Sequence, residues 1–142
     1  MVHMDSCGIL CIDFGTTSWG CAVGDIETQV AQAVGAVPAQ QGNPNWEKLD
    51  QLVQEWAPTR FVMGYPLKAD GSPFDKLTPM VDRAAKSLSK RYQHPVDLQD
   101  ERLTTVHAKE RIYAQKGKKG LTKSSVDAES ARIILEHYFG LY

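Results

Sequence analysis

The sequence predicts an α/β domain with a five-stranded mixed sheet and helices on both faces of the sheet. Three successive segments rich in β-forming residues open the chain, and two later apolar segments each follow an amphipathic one. Strands joined by tight turns pair antiparallel, whereas strands joined through a helix pair in parallel by right-handed crossovers. With 142 residues, 42% of them hydrophobic, the chain suffices for one core, and we expect residues 1–142 to form a single domain.

Turn-forming residues bound the predicted strands. A Gly-Thr-Thr-Ser turn follows the first strand, Gly24 ends the second, and a segment with prolines at 38 and 44 ends the third. The predicted strands cover residues 8–14, 19–23, 28–37, 61–64 and 96–98.

Apolar residues at a spacing of three and four predict four helices. The first follows Asn45 as its N-cap and ends before Pro58, and the second covers residues 77–92. The third begins after Thr104 or Thr105 and runs through Tyr113, and the fourth covers residues 125–138. The resulting order, βββαβαβαα, is the plan of ribonuclease H-like domains.

Three carboxylates occupy positions where α/β domains place functional groups. Asp13 closes the first strand, and Glu101 follows the fifth, at the carboxyl ends where such sheets bind ligands. Asp127 lies near the start of the last helix, in line with the apolar residues Ala131 and Ile134. Taken singly, each acid also fits a turn or a helix terminus, so the prediction depends on all three meeting.

Convergent carboxylates predict a divalent metal site. Their mutual repulsion needs a cation, and hard oxygen ligands select Mg²⁺ or Mn²⁺. Such ions activate water and hold a scissile phosphate, which is the chemistry of phosphodiester hydrolysis. The chain offers no GxSxG nucleophile motif, and no GxxxxGK[ST] phosphate-binding loop fits its Gly- and Lys-rich segment 116–124.

Charge is distributed unevenly along the chain. Residues 1–59 carry a net charge of −6 and residues 60–142 a net charge of +5, although the whole chain has a net charge of −1. Between Arg102 and Lys123 seven basic residues face only one acid, Glu110, and this segment includes Lys116, Lys118, Lys119 and Lys123. A flexible basic loop beside Asp127 is typical of sequence-independent contact with a nucleic-acid backbone, and a merely solvated loop is the alternative.

Four motifs, in order, carry a resemblance to one family. They are Asp-Phe-Gly-Thr at 13–16 with Gly-Cys-Ala-Val-Gly at 20–24, Gly-Tyr-Pro-Leu at 64–67, Asp-Glu-Arg-Leu-Thr-Thr at 100–105, and the helix that opens with Val-Asp at 126–127. Residues 8–139 resemble the YqgF proteins, also called RuvX, which are distant relatives of the RuvC Holliday junction resolvases.

The resemblance implies a ribonuclease H-like nuclease in which Asp13, Glu101 and Asp127 bind Mg²⁺ or Mn²⁺ and catalyse hydrolysis. It implies a role in trimming the 5′ end of pre-16S ribosomal RNA, with ribosomal particles as partners. Cleavage of four-way DNA junctions is the alternative, and it requires a homodimer, whereas RNA trimming is open to a monomer. We expect Arg102 to anchor a loop or a phosphate. Ser130 stands where resolvases of the RuvC type have a further acid. The number of metal ions bound, one or two, is therefore left undecided.

Two other classes remain as alternatives. The Asp-Phe-Gly-Thr-Thr segment is similar to the phosphate turn of sugar kinases and actins, but those ATPases bind nucleotide between two domains. A non-catalytic nucleic-acid-binding module with the same fold is the other alternative.

Cysteine usage and hydropathy predict a cytoplasmic protein that does not enter a membrane. Cys7, Cys11 and Cys21 are odd in number and lack metal-ligand spacing, so we expect reduced thiols. The apolar run near the N-terminus is interrupted by Asp13 and is too short for a membrane span or a secretory signal.

Overall fold

A single mixed sheet carries the fold in this computed structural model, which describes residues 8–102 and 122–141. The strands are β1 (Gly8–Asp13), β2 (Ser18–Asp25), β3 (Val30–Gln40), β4 (Asn43–Pro44), β5 (Arg60–Tyr65) and β6 (Val96–Asp100). The described helices are α1 (Trp46–Trp56), α2 (Leu77–Tyr92) and α3 (Lys123–Tyr138).

The sheet has the strand order β4-β3-β2-β1-β5-β6. Strands β1 to β4 pair antiparallel in sequence, whereas β5 pairs in parallel with both β1 and β6. The carboxyl ends of β1, β5 and β6 therefore share one edge of the sheet. The predicted α/β architecture with a mixed sheet is confirmed.

The sheet has one strand more than the five predicted. Strand β3 continues through Pro38 to Gln40, and its last two residues pair with the two-residue strand β4. Pro38 does not end the strand because the neighbouring Ala39 donates its N–H to the Thr17 carbonyl, 2.9 Å away, and the Pro38 carbonyl accepts from Asn45. The ladder requires no N–H at the proline itself.

Helix boundaries follow their capping residues. The Asn45 side chain accepts the N–H of Lys48, as predicted for an N-cap, and α1 ends at Ala57 in the left-handed conformation, one residue before Pro58. Helix α3 begins at Lys123 rather than at the predicted residue 125, because Thr122 and Ser125 form a reciprocal capping box. The predicted helix at 104–113 lies outside the described residues.

Alternate residues of β1 face two separate cores. Leu10 and Ile12 pack with α1 and α2 on one face of the sheet, whereas Ile9 and Cys11 pack beneath α3 on the other. Cys11 and Cys21 are buried, free thiols, as predicted, and Cys7 lies outside the described residues. In the described part of the chain, no helix combines the length and apolar character needed to span a membrane.

Candidate active site

Asp13 is the last residue of β1 and follows the alternation that sets Ile9 and Cys11 against α3. It is therefore placed on the α3 face of the sheet, at the edge where the parallel strands end. Its partner on β2 is Gly20. On the other side, Ile12 pairs with Met63 of β5, so Gly64 comes level with Asp13. Asp13 thus lies between two residues that have no side chain.

Glu101 follows β6 directly, and its N–H donates to the Tyr65 carbonyl at the end of β5, 3.2 Å away. This bond turns the carboxyl group back over the sheet, above Gly64. A Cβ atom at Gly64 would lie 2.5 Å from Oε2 of Glu101, so only glycine leaves the space that this carboxylate occupies. There the Glu101 carboxyl group hydrogen-bonds with that of Asp13.

Asp127 lies in the first turn of α3, which crosses the same face of the sheet. A Cβ atom at Gly20 would overlap the backbone carbonyl of Asp127, so the helix backbone rests directly on the residue paired with Asp13. The Asp127 side chain is half-buried. The structure therefore brings the carboxyl groups of Asp13 and Glu101 together and places the backbone of Asp127 on the same face of the sheet, beside Gly20.

The site concentrates negative charge in a buried place. Burial raises the pKa of Glu101, and repulsion from Asp100 raises it further, while the hydrogen bond with Asp13 acts in the opposite direction. Two thiols in the core respond to the same charge. Burial and then the field of Asp13 raise the pKa of Cys11, and the same causes raise the pKa of Cys21 to about 12.

The donor set fits a hard divalent cation. Oε2 of Glu101 is buried and accepts no hydrogen bond from residues 8–102 or 122–141. Within those ranges, no three His, Cys, Asp or Glu side chains are arranged to hold an ion together. Mg²⁺ usually keeps several waters and takes one or two carboxylates plus substrate phosphate, so the Asp13–Glu101 pair satisfies what it needs from protein.

The predicted basic contacts are only partly described. Arg102 contacts two segments of the chain, because its guanidinium pairs with Asp100 at 2.7 Å and donates to the Ala69 carbonyl at 3.3 Å. Lys123 opens α3, but its side chain lies outside the described part of the chain, as do Lys116, Lys118 and Lys119 entirely. These contacts join the segment around Ala69 to the end of β6, and the phosphate contact expected of Arg102 stays a prediction.

Two functional positions escape sequence reasoning that looks only for reactive groups. Gly20 and Gly64 carry no chemistry, yet they make room for Asp127 and Glu101 around Asp13. The available signal is a glycine inside an otherwise apolar strand, which marks a close approach by another group. Ser130, one turn after Asp127, is 1% exposed, and within the described ranges its Oγ has no hydrogen-bond partner.

Comparison with protein families gives one match over nearly the whole chain. A family model described as "RuvX: Holliday junction resolvase" matches residues 8–140. A protein of Actinobacillus pleuropneumoniae is 48% identical over 131 residues, which cover 92% of this chain and 95% of the relative. A protein of Glaesserella parasuis is also 48% identical, over 92% of this chain and 94% of its own length. Both carry the name "Putative pre-16S rRNA nuclease".

Solved structures with the same fold are more distant in sequence. Thermus thermophilus RuvC in complex with a Holliday junction substrate superposes with a TM-score of 0.55 at 18% identity, covering 94% of each chain. The Holliday junction resolvase of fowlpox virus gives a TM-score of 0.51 at 14% identity, over 95% of this chain and 99% of that one. At these identities the likeness shows the shared ribonuclease H-like fold.

Proposed function

The chain belongs to the RuvX family, and we propose that it is a metal-dependent nuclease that hydrolyses phosphodiester bonds in maturation of the 5′ end of pre-16S rRNA. The names of its relatives support the substrate. The observation that carries the chemistry is the meeting of Asp13, Glu101 and the first turn of α3 on one face of the sheet.

Asp13 and Glu101 would hold Mg²⁺ or Mn²⁺, with Asp127 completing the site from α3. A divalent ion held there supplies a Lewis acid for the phosphate and lowers the pKa of a bound water. The two carboxyl groups are already in contact, and Oε2 of Glu101 is buried without a donor among the described residues. Because the two carboxyl groups lie close together before any ligand binds, the entropic cost of assembling the metal site is lower.

Asp127 has a position suited to orienting the attacking water. It projects from the first turn of a helix whose start is fixed by the Thr122–Ser125 capping box and by direct contact with Gly20. The residue as a whole is half-buried, Oδ2 of its carboxylate is buried, and its backbone rests on Gly20. A carboxylate fixed in this way can accept a hydrogen bond from water and direct its lone pair.

Substrate binding is assigned to basic residues that lie between Glu101 and Asp127 in the sequence. Lys116, Lys118, Lys119 and Lys123 lie between Glu101 and Asp127 in sequence, and we propose that they contact the nucleic-acid backbone. Arg102, paired with Asp100 and bonded to the Ala69 carbonyl, ties the end of β6 to the segment that follows β5. Ribosomal particles are the proposed partners, because immature 16S rRNA is carried in them.

Cleavage of branched DNA is the second candidate function. The description of the family itself favours it, since it reads "Holliday junction resolvase". Resolution of a four-way junction needs two nicks placed symmetrically, and therefore two copies of this chain. The oligomeric state in solution thus separates this candidate from RNA trimming.

Substitution of the acids tests the proposed chemistry. Asp13→Asn, Glu101→Gln and Asp127→Asn should each lower the rate of RNA cleavage by about 100-fold or more, because each removes a charge from the site. Affinity for the uncleaved RNA should be retained, and chelation with EDTA should abolish cleavage by the wild type. Glu55→Gln, an exposed acid on α1, is the matched control. Undiminished cleavage in the three site variants would refute the assignment.

A further inference from the structure

A cavity of about 280 Å³ opens at the same edge of the sheet as the acids but on the opposite face. Its lining includes Phe14 and Trp19, which belong to the core beneath α1 and α2, and also Trp46 and Arg83 from those helices. Nothing in the hydrolytic chemistry uses this space. It will be called the aromatic cavity.

Aromatic rings form the walls of the aromatic cavity in fixed orientations. The Phe14 and Trp19 rings lie 5.6 Å apart, and the Trp19 and Trp46 rings meet edge to face at 6.0 Å. The Arg91 guanidinium lies 4.9 Å from the centre of the Trp46 ring and is itself held by a bidentate pair with Asp50. The ring of Trp46 is therefore held in place before any ligand binds, which reduces the entropy lost on stacking.

Polar groups accompany these rings. Trp19 is fully buried, and its indole Nε1 donates to no acceptor within residues 8–102 and 122–141. Arg83 and Asn43 also line the aromatic cavity, and Arg83 makes no ion pair with the described residues. The partly exposed ring of Trp46, packed on the buried Trp19, together with Arg83 and Asn43 matches a heterocycle that stacks and accepts hydrogen bonds.

Gly42 keeps the aromatic cavity open. Its φ is +87°, and a Cβ atom there would lie 2.7 Å from Cε of Met80 and 2.9 Å from Cζ of Phe14, both residues of the lining. Any side chain at this position would push on two walls at once. Gly42 is therefore favoured for two reasons: its positive φ, and the space that the walls of the cavity occupy.

The aromatic cavity adjoins the candidate active site along the chain. Phe14 directly follows Asp13. Asp13 belongs to the candidate active site, whereas Phe14 lines the aromatic cavity. The N–H of Gly42 donates to the Thr16 carbonyl, which ties the β3–β4 turn to the β1–β2 loop at 2.9 Å. The loop that follows Asp13 therefore packs against the turn that lines the aromatic cavity.

We propose that the aromatic cavity binds one unstacked nucleobase of the nucleic-acid substrate, close to the phosphate that is cleaved. The inference rests on the proposed nuclease function, and it adds a specificity site to it. Single-stranded segments are the form of RNA in which a base is free to leave its stack and lie against aromatic side chains. The site would thus favour cleavage where the strand is unpaired.

Substrates that lack single bases test this proposal. End-labelled pre-16S RNA fragments, each with one abasic nucleotide at successive positions around the cut, are cleaved by the wild type and by Gly42→Ala. At one position, loss of the base should lower kcat/KM of the wild type by roughly 10-fold, the scale of one base stacked on aromatic rings. In Gly42→Ala the same abasic substitution should have little effect, because the cavity no longer takes the base.

Matched variants control for backbone strain and for folding. Gly140→Ala changes a glycine with a similar φ of +79° and no atoms within 4 Å, so it reports the cost of strain alone. Ser87→Met fills the cavity from an exposed position on α2, and Ser89→Met is its counterpart on the same helix outside the lining. The abasic substitution should have little effect in Gly42→Ala and in Ser87→Met. In the two control variants it should lower kcat/KM as it does in the wild type. An abasic effect of equal size in all five proteins would overturn the proposal.

Binding separates this inference from the nuclease function. If no RNA is cleaved, the proposed function fails, and the cavity is judged by the indole N–H signals of the three tryptophans in NMR spectra. Adding a short single-stranded RNA should shift the Trp19 and Trp46 signals, whereas a fully abasic strand of the same length should not. Trp56, near the opposite end of β1, is the internal reference. Equal shifts with both strands, or none, would overturn the proposal.

Discussion

Glu101 shows, at the scale of single residues, how the fold accepts an unfavourable group at its site. Its carboxyl group is largely buried against Asp13, its pKa is raised, and no described donor satisfies Oε2. A buried carboxylate without full hydrogen bonding costs folding free energy. Asp97, by contrast, accepts hydrogen bonds from Arg60 at 2.9 Å and Tyr138 at 2.6 Å. The two acids should therefore respond to neutralisation in opposite ways.

Glu101→Gln should leave the metal-free protein as stable as the wild type or raise its melting temperature by a few degrees, because it removes a buried charge and its repulsion from Asp100. Asp97→Asn should cost about 1 kcal/mol, since it weakens two hydrogen bonds. Thermal and urea denaturation in EDTA measure both. A larger loss of stability in Glu101→Gln than in Asp97→Asn would contradict this account of the site.

Residue types alone give part of the site and not its geometry. Asp13, Glu101 and Asp127 were predicted from their positions after two strands and at the start of a helix. The roles of Gly20 and Gly64 were not, because an unoccupied space has no sequence signal beyond the glycine itself. Which glycine faces a helix depends on the pairing register, and register is a tertiary property.

Helix α3, at the scale of elements, determines where the third acid lies. The helix packs on β1, β2 and β5 through Ile134 and Leu135, and its first turn touches Gly20 through the backbone of Asp127. A helix carbonyl, unlike a long side chain, cannot turn aside from an added methyl group. The position of Asp127 is thus coupled to residue 20.

Gly20→Ala should destabilise the protein by about 3 kcal/mol, because overpacking against backbone allows little relaxation. The same variant should lose cleavage activity even where it remains folded, since α3 must shift away from Asp13. Urea denaturation and cleavage rates measure the two effects, with Gly140→Ala as a glycine substitution in open space. Wild-type stability and activity in Gly20→Ala would contradict the packing described for α3.

Helices α1 and α2 are joined by one cluster on the other side of the sheet. Asp50 accepts two hydrogen bonds from Arg91 and one from the Tyr92 hydroxyl, at distances of 2.6 to 2.9 Å. These bonds, led by that from Arg91, lower the pKa of Asp50 to about 2. The same cluster holds Arg91 over Trp46.

The Asp50 cluster gives the protein a pH-dependent contribution to stability. A lowered pKa means that the carboxylate stabilises the fold above its ordinary value of about 4, and that this contribution is lost as the pH falls through about 2. Asp50→Asn should therefore lower the melting temperature by a few degrees at pH 7, and the difference should vanish near pH 2. Thermal denaturation of both proteins from pH 7 to pH 2 tests this prediction. A difference in melting temperature that persists at pH 2 would contradict it.

The order of the elements, at the scale of the whole molecule, was predictable because hydrophobic periodicity and breaker residues act locally. The antiparallel strands, the two helices of the crossovers and the terminal helix follow that order. The two-residue strand β4 was not predicted, since it depends on a turn at Gly42 that returns the chain onto Ala39 and Gln40. The aromatic cavity was also not predicted, because it joins residues from the β1–β2 loop, β2, the β3–β4 hairpin, α1 and α2.

Charge on the whole chain divides between an acidic first part and a basic second part. Changing Lys116, Lys118, Lys119 and Lys123 to Gln should weaken RNA binding and reduce the slope of log K against log salt by about 3, if each contacts one phosphate. Lys86→Gln with Lys90→Gln on α2 is the control, and it should leave the slope nearly unchanged. Binding isotherms at several salt concentrations provide the test. An unaltered slope in the fourfold variant would remove these lysines from the interface.

The central claim is that the acids on the α3 face of this sheet hydrolyse RNA. The most direct measurement is cleavage of end-labelled pre-16S RNA fragments and of a four-way DNA junction, side by side, in Mg²⁺ or Mn²⁺. Asp127→Asn serves as the inactive control. The account predicts cutting of the RNA near the mature 5′ end by the wild type and none by the variant. Paired nicks in the junction with intact RNA, or equal RNA cutting by Asp127→Asn, would contradict it.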